Sequence, residues 1–84
     1  MKALNWETVI IDGHEFDCDE LMAEALDFRP SIEELKHAKN NRIVKSIKAV
    51  ASDLNGEKIS VVFNCEFGFT EDYENPVMPL KVLV

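Results

Sequence analysis

Apolar and polar residues alternate most regularly between Ile59 and Phe69. The odd positions are Ile59, Val61, Phe63, Cys65, Phe67 and Phe69; the even ones are Ser60, Val62, Asn64, Glu66 and Gly68. Successive side chains of a strand point to opposite faces, so this spacing predicts a strand with one apolar face, three of whose residues are phenylalanines. Each such side chain contributes roughly 1.5–3 kcal/mol when buried, enough to make this face the anchor of the core. The rest of the chain has to cover it.

Upstream, Glu7-Thr8-Val9-Ile10-Ile11 and His14-Glu15-Phe16 flank Asp12-Gly13. A two-residue Asp-Gly connection suits a hairpin turn in which both central residues take positive φ, so strands are expected near 6–11 and 14–17. Trp6 is read as a core residue at the start of the first. Leu21, Met22, Ala25 and Leu26 then recur at helical spacing, with Asp17 or Asp19 as N-cap and further acids in the first turn, where the helix dipole favours them. Phe28-Arg29-Pro30 ends that helix, because a residue before proline is biased away from α.

A second helix is expected to open at Ser31, which has capping-box spacing to Glu34. The stretch 42–55 admits two readings. As a strand it sets Lys45 beside Ile47 on one face and Val44 beside Lys48 on the other. As a helix it gathers Ile43, Ile47, Val50 and Leu54 on one stripe, with Lys45, Lys48 and Ser52 opposite and Gly56 at the C-cap position. The helical reading segregates better and is the expectation, with a break near Asn40-Asn41 that divides 31–55 into two pieces. After the anchoring strand, residues 70–76 form an acidic loop, and 77–84 make a last strand. Pro79 confines that strand to a sheet edge or to an irregular ladder.

These elements predict an α+β fold in a small single domain spanning 1–84. It has an N-terminal β-hairpin, two to three helical segments and two C-terminal antiparallel strands, with the helices packed on one face of the sheet. A chain of 84 residues has room for one small core. No apolar run reaches the ~18–20 residues that span a bilayer, and the N-terminus carries no secretory signal, which points to a cytoplasmic protein. In that compartment Cys18 and Cys65 are expected as thiols, with Cys65 on the buried face of its strand.

The net charge of −7 is unevenly spread: residues 1–30 carry −6, residues 31–58 carry +2 and residues 59–84 carry −3. Such a field repels phosphate backbones and favours a basic protein partner, so direct nucleic-acid binding is not expected. Candidate chemistry is thin. His14 and Cys18, with His37 or Cys65, lack the paired short spacing of a zinc site. The acid groups Asp17, Asp19 and Glu20, or Glu71, Asp72 and Glu74, lack the glycine and terminal glutamate of a calcium loop. Cys18 with His14 has no activating context for nucleophilic catalysis. Arg42, Lys45 and Lys48 read as a solvated basic face.

No metal, cofactor or enzymatic activity is therefore expected. The functional expectation is a small acidic binding protein that blocks or regulates a basic partner by occlusion, as an inhibitor, an immunity protein or a phage-type anti-host factor does. The contact residues expected are Asp17, Asp19, Glu20, Glu71, Asp72, Tyr73 and Glu74; a tyrosine among acids on an exposed loop is a reasonable hot spot. The alternatives are a homo-oligomeric subunit joined through its C-terminal edge strand, or through its basic helix against its acidic hairpin, and a small enzyme or ligand carrier.

Overall fold

The computed structural model describes residues 7–83. The expectations for Trp6, as a strand start and a core residue, and for Val84, as the end of the last strand, lie outside the described residues. The fold is α+β, with a two-stranded and a three-stranded antiparallel sheet.

The N-terminal hairpin is formed by β1 (Thr8–Ile11) and β2 (His14–Asp17). Asp12 and Gly13 take φ values of 52° and 81°, as a two-residue turn between right-handedly twisted strands requires. Phe16 projects from β2 into the core and is wholly buried. Helix α1 (Cys18–Ala25) follows directly, with Asp17 as its N-cap: the carboxylate accepts the backbone N–H of Asp19 at 2.9 Å. A 3-10 turn (Leu26–Phe28) carries the chain to Arg29 and Pro30. Helix α2 (Ile32–Lys36) has the complete capping box of Ser31 and Glu34 but only five residues. These bonds from Ser31, first its backbone N–H and then its hydroxyl contact, hold the Glu34 carboxyl below its ordinary range.

The break expected near Asn40-Asn41 is present. Both asparagines adopt positive φ, 59° and 54°, at the end of a second 3-10 turn (Lys39–Asn41). The segment after it departs from expectation. Residues Arg42–Ser52 are strand β3, not a helix, and Gly56 serves the β3–β4 turn at φ 82° rather than a helix C-cap. β3 pairs with β4 (Lys58–Phe69) from Arg42↔Gly68 to Ser52↔Lys58.

The reason lies in the partner strand. A twelve-residue anchoring strand leaves a row of backbone N–H and C=O groups that must be paired when buried. β5 (Val77–Leu83) reaches β4 only over 64–69, so β3 alone satisfies the other half. The same ladder removes the helical piece expected over 42–55, leaving two short α-helices and two 3-10 turns among the described residues, and the hairpin stands as a separate sheet.

In the three-stranded sheet the order is β3–β4–β5, which leaves β5 at an edge. Its ladder is irregular at the proline: Glu66 opposes Lys81 and Phe67 opposes Pro79, so Leu80 is left out. The side chain of Leu80 falls over Gly68, where a Cβ would stand 2.5 Å from its Cδ1. Gly68 thus supplies the hollow that the irregular strand fills.

The odd residues of β4 face inward as expected, with Val61, Phe63, Cys65 and Phe67 buried. They meet Ile47 and Ala51 from β3, Leu21 and Ala25 from α1, and Phe16 from the hairpin in one cluster. α1 lies against β3 and β5 on this inner face. The outer face is the more open one, and Val44, Val50 and Val62 are each more than half exposed there.

Candidate functional site

The turn between β3 and β4 is built around one carboxylate. Asp53 Oδ1 accepts the backbone N–H of Asn55 at 2.9 Å and of Glu57 at 2.8 Å, and the Asp53 N–H returns to the Glu57 carbonyl at 2.9 Å. These are the bonds by which an aspartate mimics backbone in a tight turn. Its second oxygen, Oδ2, pairs with His14 Nδ1 at 3.0 Å. The Asp53 side chain is 1% exposed and that of His14 is 35% exposed. The N–H of Glu57 holds the Asp53 carboxyl below its ordinary value of 3.8, against the opposing effect of burial and with further help from His14. A buried carboxylate with all its near donors in place is a stable anion.

His14 comes from the first residue of β2, so the pair ties the hairpin to the larger sheet. The Leu54 N–H donates to the Glu15 carbonyl at 2.9 Å beside it. The Glu57 side chain completes the group: His14, Asp53 and Glu57 each offer a ligand atom, and all lie within 4.8 Å of one another. Chemically this is an oriented imidazole with two carboxylates. Among the described residues no serine, threonine or cysteine side chain hydrogen-bonds to His14, so the pair lacks the nucleophile of an acyl-transfer relay.

His14 is a candidate from sequence, but the partners expected for it are not the ones the fold supplies. Cys18 and Cys65 are buried free thiols. Burial pushes both thiol pKa values up, that of Cys65 to about 11, and for Cys18 the charges of Glu7, Asp17 and Asp19 add to it. His37 turns back on its own helix, with Nδ1 2.8 Å from the Glu33 carbonyl oxygen. Neither cysteine nor His37 belongs to the cluster. Asp53 and Glu57 are members that the sequence reading missed. Asp53-Leu54-Asn55-Gly56 does carry a turn signal, an aspartate two residues before Asn-Gly, which the helical reading of 42–55 obscures.

The seven acidic-surface candidates fall into two places. Asp17, Asp19 and Glu20 open α1, whereas Glu71, Asp72, Tyr73 and Glu74 lie in the β4–β5 loop. That loop sits beside Arg29, whose Nη1 donates to Asn75 Oδ1 at 3.3 Å. α1 and its 3-10 extension run between the first group and Arg29. Two of the acids are occupied in building the fold: Asp17 caps α1, and Asp72 Oδ1 accepts the N–H groups of Glu74 at 2.9 Å and Asn75 at 3.2 Å. Tyr73 stands fully exposed, at 101%.

The expected basic face also divides. Arg42 and Lys48 are on the outer face of β3, on the same side as Lys58 and Lys81, whereas Lys45 points to the inner side and reaches the Phe28 carbonyl at 3.2 Å. Among the described residues, Lys81 with Glu66 at 4.0 Å is the one lysine–carboxylate ion pair. No described helix is long and apolar enough to cross a membrane. Comparison with protein-family models, with curated proteins and with solved structures finds no match to this chain.

Proposed function

We propose that this is a small acidic intracellular binding protein that blocks or regulates a basic partner protein by occlusion, of the inhibitor, immunity or anti-host type. The observation that carries the reading is the β4–β5 loop. Tyr73 is wholly exposed between Asp72 and Glu74, on a loop closed by Asp72 and by the Thr70 N–H to the Pro76 carbonyl at 2.7 Å. A tyrosine held on a pre-formed loop loses little entropy on docking, and the flanking carboxylates steer a cationic surface toward it. No lysine or arginine of the chain pairs with Glu20, Glu71 or Glu74 among the described residues, so these charges act on the surroundings.

The test is capture from a native host extract at low and then high salt, using the wild-type chain and a Glu71→Lys, Tyr73→Ala, Glu74→Lys variant. Asp72 is left in place because it holds the loop. The variant is expected to keep the wild-type melting temperature within a few degrees and to lose a salt-sensitive partner. Undiminished capture would remove the loop from the interface.

A second reading, a homo-oligomeric subunit, draws on the outer sheet face. Val44, Val50 and Val62 are exposed there beside Arg42, Lys48, Lys58 and Lys81, a basic and apolar surface on an acidic chain. It suits the acidic helical side of a second copy. Light scattering separates the two: the occlusion reading expects a monomer across concentration, and the subunit reading a stable assembly.

A further inference from the structure

We propose that His14, Asp53 and Glu57 bind one divalent transition-metal ion of the zinc type, which clamps the β1–β2 hairpin to the β3–β4 turn. Ligands about 2.0–2.2 Å from one tetrahedral ion stand roughly 3.3–3.6 Å from each other. His14 Nδ1 and Asp53 Oδ2 already stand 3.0 Å apart, and all three ligand atoms lie within 4.8 Å. Small rotations therefore close the set on an ion.

The three ligands differ in a useful way. Asp53 is the fixed one, since two backbone N–H groups hold its other oxygen and its side chain is buried. These bonds also orient the carboxylate, as the outer hydrogen bonds of a metal ligand do. His14 is set on a strand and is partly open to solvent. Glu57 is exposed, but its backbone is tied to Asp53 through both its N–H and its carbonyl, so its Cα position is set while its carboxylate swings.

Donor chemistry selects the ion. An imidazole nitrogen with two carboxylates suits zinc and its neighbours rather than calcium or magnesium, which prefer larger or stricter all-oxygen shells. Three protein ligands leave a fourth position to water. The ion takes the Nδ1 position now used toward Asp53, and the neutral imidazole then carries its single proton on Nε2. The ion then joins two sheets that otherwise meet here through the His14–Asp53 pair and the bond from Leu54 to Glu15. The proposal does not depend on the acidic loop, and its outcome leaves the occlusion reading untouched.

The experiment titrates the chelator-stripped full chain with Zn²⁺ in a calorimeter and follows the melting temperature. Co²⁺ is substituted for its visible spectrum. One ion per chain is expected, with a higher melting temperature and a cobalt spectrum of four-coordinate nitrogen and oxygen ligation. Glu57→Gln is expected to weaken binding at least tenfold while leaving the metal-free melting temperature unchanged. His14→Gln should abolish binding, and His37→Gln should not alter it. The proposal is overturned if Zn²⁺ binding is not saturable or if His14→Gln and Glu57→Gln bind as the wild type does. A sulfur-to-cobalt band would also overturn it, by assigning the ion to Cys18 or Cys65.

Discussion

β3 and β4 lie side by side over their whole paired length, yet they are very different strands. β4 is the central strand, and its inner face is an unbroken apolar row from Ile59 to Phe69. β3 is an edge. Its inner face runs Ile43, Lys45, Ile47, Ala49 and Ala51, and its outer face holds Val44 and Val50 among polar residues. The contrast has a physical origin. From Asn64 onward β4 is flanked by strands on both sides, and its inner face lies on the core, so a charge there would have no exit. The edge strand borders solvent, where a lysine can bury its methylenes and bring its ammonium out to a polar group. Hydrophobic alternation therefore marks a central strand sharply and an edge strand poorly.

The largest expected effect tests the faces of β4. Phe63 is 3% exposed, and its neighbour Asn64 is on the open side. Phe63→Asp places a charge in the core and is expected to cost upward of about 4 kcal/mol, which unfolds a domain of this size. Asn64→Asp is expected to stay within about 0.5 kcal/mol. Urea unfolding followed by circular dichroism reads both, and equal damage would reject the alternation.

On β3 the comparison sharpens. Ile47 is wholly buried opposite Phe63, so Ile47→Ala is expected to cost about 2–4 kcal/mol. Val50→Asp and Lys48→Asp lie on the exposed face and should each change stability by no more than about 0.5 kcal/mol. A helix would make Val50→Asp severe and Lys48→Asp harmless, so a large gap between these two would return the segment to the helical reading.

This pair of strands also shows how far the residues alone could lead. The anchoring strand, the Asp12-Gly13 turn, the capping box of Ser31 and Glu34, the break at Asn40-Asn41 and the irregular edge at Pro79 each follow from local chemistry, and each could be read locally. The identity of 42–52 could not, because residues four apart share a face in a helix and in a strand alike. Ile43, Ile47 and Ala51 satisfy both. What decides is the ladder that β4 requires, a demand made by another strand, with Ile47 set opposite Phe63. The His14–Asp53–Glu57 cluster was hidden for the same reason: its members meet only once β3 is a strand and its turn folds back on the hairpin. For the acidic loop, exposure followed from composition, but the use of Asp72 as a loop brace did not.

The turn that joins the two strands gives a pH test. The Asp53 carboxyl lies below its ordinary value of 3.8 in the folded chain, because Glu57, His14 and Asn55 favour its anion. A depressed folded pKa contributes stability that is present above the unfolded value and is lost as pH falls through the folded one. The wild type is therefore expected to lose stability progressively below about pH 4, in part through this group. Asp53→Asn should be less stable at neutral pH, and its acid limb should be shallower than that of the wild type. Parallel acid limbs would show that Asp53 contributes nothing to the linkage.

A small effect on stability is also expected at Lys45, the residue that makes β3 unlike β4. Its ammonium donates to the Phe28 carbonyl, and its position is an inward-facing charge on an exposed edge. Such charges block edge-to-edge pairing, because a second strand docked there would bury the lysine without a partner. Lys45→Leu is expected to leave monomer stability within about 1 kcal/mol, since the gain in apolar burial offsets the lost contact. The consequence should appear in association instead. β3 then presents a long edge with an apolar inner face and no proline, and sedimentation or light scattering should show more concentration-dependent association than for the wild type. If Lys45→Leu associates no more than the wild type, the edge is protected by Arg42 and Lys48 or by its twist, and the inward lysine is only a tolerated exception to the alternation.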